Sequence, residues 1–229
     1  KGIRVFSKPQ DLKDWLEPAL KARGEKPDAR DHLIVDAGTL VPGFSLDADK
    51  VEFFCHSPFI KHCDGGDVVR NSAALVFNVR LKSGKELFDY LEVGDAEWAD
   101  LEDIVTATRE HKNDDRLKWD LFNIPHHCSY LSLSDVKGEK ETEPKPLVKE
   151  LLLAGKSGAY IVSCSKPVND DKSAYEQVQP PHIQARKAYE SHLAKVDGRK
   201  FLVTMSEPKA SQPKPLEFEF TSSGLSLKK

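Results

Sequence analysis

The chain has 229 residues with a net charge of -3, 39% hydrophobic and 31% charged residues, so it is long enough for a sizeable core. That balance argues against a strongly basic nucleic-acid binder, though not against a local basic groove. No apolar run approaches the ~20 residues needed to span a membrane. The four cysteines, Cys55, Cys63, Cys128 and Cys164, form no CxxC pair, and with no signal peptide visible they read as reduced thiols of a cytoplasmic protein. The sequence opens at Lys1-Gly2-Ile3-Arg4-Val5, which reads as a fragment or a processed product.

Asp11 to Ala22 is expected to be a helix with Leu12, Trp15, Leu16 and Leu20 on one face, although Pro18 falls inside it. Arg23 to Asp31 is a polar loop. His32 to Val35 and Val51 to Cys55 are expected strands, with the long charged loop Ser57 to Asn71 after them. Ala73 to Leu81 and Leu87 to Val93 read as an antiparallel pair around the turn Lys82-Ser83-Gly84-Lys85. Glu97 to His111 has the clearest helical pattern: Trp98, Leu101, Ile104, Val105 and Thr108 form a stripe, and acidic residues fill the first turn. A strand is expected over Leu117 to Ile124. Leu131 to Pro146 is rich in Lys and Glu and reads as a mobile loop. Helix Leu147 to Lys156, strand Ala159 to Ser163, loop Val168 to Pro180 and helix Pro181 to Val196 follow, the last with Pro at its start. Phe201 to Met205 and Leu216 to Thr221 close the chain as strands, with Gly224 turning into Leu225-Ser226-Leu227. The alternation of strands and helices predicts an α/β fold with sheets flanked by helices.

Two apolar runs end in polar turns. Leu87 to Val93 runs into Gly94-Asp95, and Leu121 to Ile124 runs into Pro125-His126-His127-Cys128-Ser129. In α/β folds, side chains at strand ends face the cleft where ligands sit, and an Asp beside a His there suits a metal.

Asn71-Ser72 leading a strand, the Gly84 turn, Gly94-Asp95, the run Asp120 to Ser129 and Pro180-Pro181-His182 before a helix together resemble the second half of a metallo-β-lactamase-fold hydrolase. The pattern is similar to the branch that includes the hydrolase domain of bacterial DNA-internalisation proteins. It covers roughly residues 50–205.

The resemblance implies an αββα sandwich holding two metal ions, usually zinc, with manganese as the alternative. By the same resemblance Asp95 bridges the two ions and His127 binds one, with His126 able to exchange roles with it. Such a pair lowers the pKa of a bound water towards neutrality and polarises a phosphoryl or carbonyl oxygen, and His182 would hold that oxygen or a leaving group. The implied substrate is a phosphodiester of nucleic acid. Thioester, lactone or peptide hydrolysis would use the same centre.

The chain departs from the family twice. Cys128 stands where the family has Gly. The family's main ligand cluster, His-x-His-x-Asp-His, is found nowhere in the sequence. The expectation is therefore a chain lacking the first half of the fold, completed by a companion chain or segment. The contrasting expectation keeps the fold without catalysis, as a binding or regulatory module.

Simpler roles exist for each residue. Asp95 could cap the helix that follows, His126 and His127 could be a surface pair, and His182 could cap its own helix. Cys55-His56 with His62-Cys63 could form a structural zinc site, and Asp36 has the look of a ligand. Trp15, Trp98 and Trp119 are expected in the core.

Overall fold

The computed structural model describes residues 9–26, 35–59 and 71–228. The expected strand through His32, most of the Ser57–Asn71 loop, and His62 and Cys63 lie outside the described residues. Helix α1 spans Pro9–Lys21, and its Trp15 is 39% exposed, so the tryptophan expected in the core stands at the surface. Strands β1 (Thr39–Leu40), β2 (Val51–Ser57), β3 (Val76–Ser83) and β4 (Glu86–Glu92) pair antiparallel in sequence order. The β3–β4 turn is tight because Gly84 takes φ +60°, a conformation that costs glycine nothing.

The topology changes after β4. Helix α2 (Trp98–Glu110) crosses to β5 (Trp119–Asn123), α3 (Pro146–Leu152) to β6 (Gly155–Ser163), and α4 (Lys172–Glu176) with α5 (Ile183–Lys195) to β7 (Lys200–Val203). Strands β4 to β7 are therefore parallel, as crossover connections require, and the whole sheet is ordered β1-β2-β3-β4-β5-β6-β7. The expected α/β class is what the chain adopts: a mixed seven-stranded sheet with several helices.

Alternation along the strands divides the core. Leu91, Phe122 and Ile161 point to the helical side, where they meet Leu101, Ile104 and Val105 of α2, Leu151 of α3 and Tyr189 of α5. Phe88, Tyr160, Val162 and Leu202 point the other way. There a small hairpin, β8 (Phe218–Thr221) and β9 (Gly224–Leu227), covers them, with Phe220 on Phe88 and Phe218 on Tyr160 at ring separations of 4.9 and 5.3 Å.

Three further expectations change. The helix expected to reach Lys156 stops at Leu152, and β6 starts at Gly155. The cause is Trp119, wholly buried, whose indole N–H donates to the Leu151 carbonyl at 3.0 Å while its ring lies so close to Gly155 that a Cβ there would stand 2.5 Å from it. The loop after β6 contains the short helix α4, capped by the Asp171 carboxylate on the Ala174 amide.

The segment expected to be mobile, 131–146, is tied down. Leu133, Thr142 and Pro144 are buried, the Thr142 amide donates to the Gln184 carbonyl at 3.1 Å, and the Lys145 amide donates to the Leu133 carbonyl at 2.9 Å. A few buried anchors and backbone bonds outweigh its polar composition. Among the described residues no helix is long and apolar enough to cross a membrane.

Candidate functional site

Asp95 and His127 meet at the C-terminal ends of β4 and β5, adjacent parallel strands. Gly94 turns the chain with φ +54°. Asp95 does not cap the next helix: Glu97 holds the N-cap position and its amide is taken by the Asp100 carboxylate at 3.0 Å. This leaves the Asp95 carboxylate half-exposed and available.

The second turn is unusual. His126, His127 and Cys128 have φ of +49°, +54° and +69°, three consecutive left-handed residues of which none is glycine. Such residues cost of order 1–3 kcal/mol each and persist only where surroundings over-determine them. Here the constraints are explicit. The His126 amide donates to the Gly94 carbonyl at 3.0 Å, which ties the two turns together. The Ser129 amide donates to the His126 carbonyl at 3.0 Å, and the Cys128 carbonyl accepts the His182 amide at 3.0 Å. Cys128, where a glycine would be unstrained, is instead fully buried in the core, and burial pushes its thiol pKa far up.

The turn aims the imidazole of His127. Its Nδ1 lies 2.8 Å from the Cys164 carbonyl, an oxygen that can only accept, so Nδ1 carries the proton. In the neutral ring Nε2 then keeps a lone pair, and Nε2 is 4.0 Å from the Asp95 Oδ1. Both side chains are more than half exposed, at 58% and 51%. As an ion pair this contact is worth little.

As a ligand pair it suits a cation. Zinc–nitrogen and zinc–oxygen bonds of about 2.0–2.2 Å allow both atoms to reach one ion, and a histidine whose other nitrogen donates to a carbonyl is the usual way such a ligand is oriented. Asp95 and His127 thus fit part of a metal site. Among the described residues no third His, Cys, Asp or Glu completes the group.

The other candidates occupy different places. His126 is half-buried, and its Nδ1 is enclosed without a hydrogen-bond partner among the described residues. His182 is 1% exposed at the start of α5 and does not cap it. Its Nδ1 takes the Tyr130 amide at 3.4 Å, its Nε2 faces the Val178 carbonyl at 3.1 Å, and burial lowers its pKa. With both nitrogens so engaged, the ring braces the turn rather than facing a substrate.

Cys55 and His56 are buried in β2. His56 Nδ1 meets Thr108 and Nε2 meets the Arg116 carbonyl, each at 3.1 Å, which leaves no nitrogen for zinc. Asp36 lies in the turn before β1, where its carbonyl accepts from Thr39.

Sequence reasoning overlooked four linked residues near the pair, Tyr90, Glu92, Asn123 and Cys164. Both carboxylate oxygens of Glu92 accept from the Asn123 amide, at 3.0 and 2.8 Å, and one also accepts from the Tyr90 hydroxyl. The Asn123 side-chain oxygen Oδ1 accepts from the Cys164 thiol at 3.3 Å. Burial and the Glu92 charge raise the pKa of both the Tyr90 hydroxyl and the Cys164 thiol, so both stay protonated as donors. The chain of bonds runs from the end of β4 to the end of β5 and on to Cys164, the residue after β6, whose carbonyl orients His127. Glu92 and Asn123 face each other in register. Each stands next to last in an expected strand, Leu87 to Val93 or Leu117 to Ile124, and that nearness to the strand ends was the available signal.

No family model, no curated protein and no solved structure matches this chain.

Proposed function

We propose that the chain is the second half of a metallo-β-lactamase-fold hydrolase that cleaves phosphodiesters with metal assistance. The observation that carries this reading is the meeting of Gly94-Asp95 with the His126–Ser129 turn, where a free Nε2 lone pair of His127 faces the Asp95 carboxylate at 4.0 Å. The order of motifs along the chain favours the same family.

Asp95 and His127 would hold the metal, and zinc or manganese would supply a Lewis acid and a lowered water pKa. The chain's own residues set the geometry. The Cys164 carbonyl fixes the tautomer and direction of His127, and Asn123, held in turn by Glu92, anchors the Cys164 side chain. His182 braces the strained turn from below through its amide on the Cys128 carbonyl. The remaining ligands are assigned to a companion chain or segment, since the sequence contains no His-x-His-x-Asp-His cluster. That same lack favours a second reading, a binding or regulatory module without catalysis.

The test is elemental analysis of the purified protein together with a panel of DNA, RNA and ester substrates in added zinc or manganese. We expect bound metal and phosphodiester cleavage. Loss of an outer partner of a metal ligand already costs about 10–100-fold, so Asp95→Asn, which alters a ligand itself, should cost more than about a hundredfold in rate. Absence of bound metal with no change on Asp95→Asn would overturn the hydrolase and leave the binding module. Cleavage confined to esters would move the substrate to thioesters, lactones or peptides.

A further inference from the structure

Beside His127 the surface opens into a cleft of about 380 Å³, walled by Pro180, Pro181 and Met205 and bordered by Ser165, Lys166 and Thr204. Its composition is uneven: apolar walls, the exposed Cys164 and one cation, with the Ser165 hydroxyl already held by Ser163 and the Lys166 carbonyl. Lys166 is exposed and makes no ion pair with a described residue. Met205 is 48% exposed, directly after β7. An exposed methionine and the half-buried Pro180 give an apolar surface, and an unpaired ammonium beside it selects an anion attached to an apolar body. The cleft's size, within the range of small-ligand sites, admits one such unit and not a paired helix.

We propose that this cleft is a subsite for one nucleotide of single-stranded nucleic acid, flanking the phosphodiester presented to Asp95 and His127. The proposal rests on the hydrolase reading above and adds its substrate class. The base lies against Pro180 and Met205, and the phosphate on its far side pairs with Lys166. Single strands offer an unstacked base to such a wall, whereas a duplex keeps its bases inside. One cation in a chain of net charge -3 gives a local foothold without a general affinity for polyanions.

The test is binding of a short labelled single-stranded oligonucleotide to the intact chain, followed by fluorescence anisotropy without added metal across a salt series. Lys166→Met should weaken binding about tenfold at low salt and reduce the slope of log affinity against log salt by about 0.7, the loss of one phosphate contact on a single strand. Lys85→Met, at the exposed β3–β4 turn, should change neither. Met205→Ala should weaken binding to the normal strand and leave binding to an abasic strand unchanged. Thermal melting of each variant verifies folding.

Failure of the wild-type chain to bind, equal losses for Lys166→Met and Lys85→Met, or tighter binding of a duplex would each overturn the subsite. Binding that follows these expectations in a protein that never cleaves with zinc or manganese keeps the subsite and removes the hydrolase. Cleavage with Lys166→Met indifferent does the reverse.

Discussion

The two ends of the parallel strands treat charge in opposite ways. At the N-terminal end, Asp89 is 2% exposed and fully partnered: Arg80 Nε reaches it at 2.7 Å and Lys156 at 2.8 Å. Arg80 also holds Asp115 at 2.8 Å, and Lys156 holds Asp120 at 2.6 Å. Burial alone would raise the Asp89 pKa, but the two cations outweigh it and hold the carboxyl below its ordinary value. At the C-terminal end, Asp95 and His127 are half-exposed and too far apart to bond directly. The first arrangement is closed, each charge satisfied by the chain itself. The second leaves a carboxylate and a lone pair facing one another, which is how residues stand when their partner comes from outside. The difference separates charges that hold the sheet together from charges that the sheet leaves open, the pair assigned to a ligand in the proposal above, and substitutions at each end should separate them in the same way.

The largest effect belongs to the closed end. Asp89→Ala strands Arg80 and Lys156 without their shared carboxylate, and removal of one partner from a buried ion cluster costs about 3–5 kcal/mol. Lys156 is 31% exposed and can turn partly to water, so the lower part of that range is expected. Urea denaturation of the variant against the native chain measures it. A loss below about 1 kcal/mol would mean that Asp89 is no more structural than a surface charge.

His56, on β2 near the closed end, gives the next effect. Burial lowers its pKa to about 4, even though the Arg116 carbonyl favours the proton. A lowered histidine pKa means that the unfolded chain takes up the proton first. The stability contributed by neutral His56 is therefore complete above the ordinary value of 6.5 and lost as pH falls from there toward about 4. The difference amounts to about 3 kcal/mol by linkage. His56→Gln should flatten that part of the profile. Denaturant midpoints for both proteins across the window decide it, and parallel curves would exclude His56 as the source.

The same division explains what the sequence made legible. The α2 stripe of Leu101, Ile104 and Val105 and the Gly84 turn are local patterns, so both elements stand where periodicity and turn chemistry place them. Asp95 and His127 were reached by a local rule too, since each follows the end of an apolar run. The closed cluster and the Glu92–Asn123–Cys164 chain were not, because each depends on the register of separate strands: Lys156 meets Asp89 across three strands, and Glu92, Asn123 and Cys164 lie 31 and 41 residues from one another. The left-handed run through His126, His127 and Cys128 was hidden for a related reason. Non-glycine residues carry no local sign of φ > 0, and the bonds that hold them come from Gly94 and His182. Composition misjudged 131–146 because Leu133, Thr142 and Pro144 are few among many charges yet anchor the segment.

The smallest stability effect is the most telling for function. Asp95→Asn and His127→Asn, made singly, should each change unfolding free energy by no more than about 0.5 kcal/mol, because both side chains are half-exposed and the contact between them is only a 4.0 Å pair. His127→Asn also loses its bond to the Cys164 carbonyl, but that oxygen lies at the surface, where water replaces the lost donor. Calorimetric melting of the metal-free chain is the measurement. If either substitution instead cost as much as Asp89→Ala, the open end would be a second structural cluster, and the pairing of Asp95 with His127 would lose its meaning as a site. Near-zero cost in the metal-free chain, together with loss of metal uptake, is the combination that only a ligand pair produces.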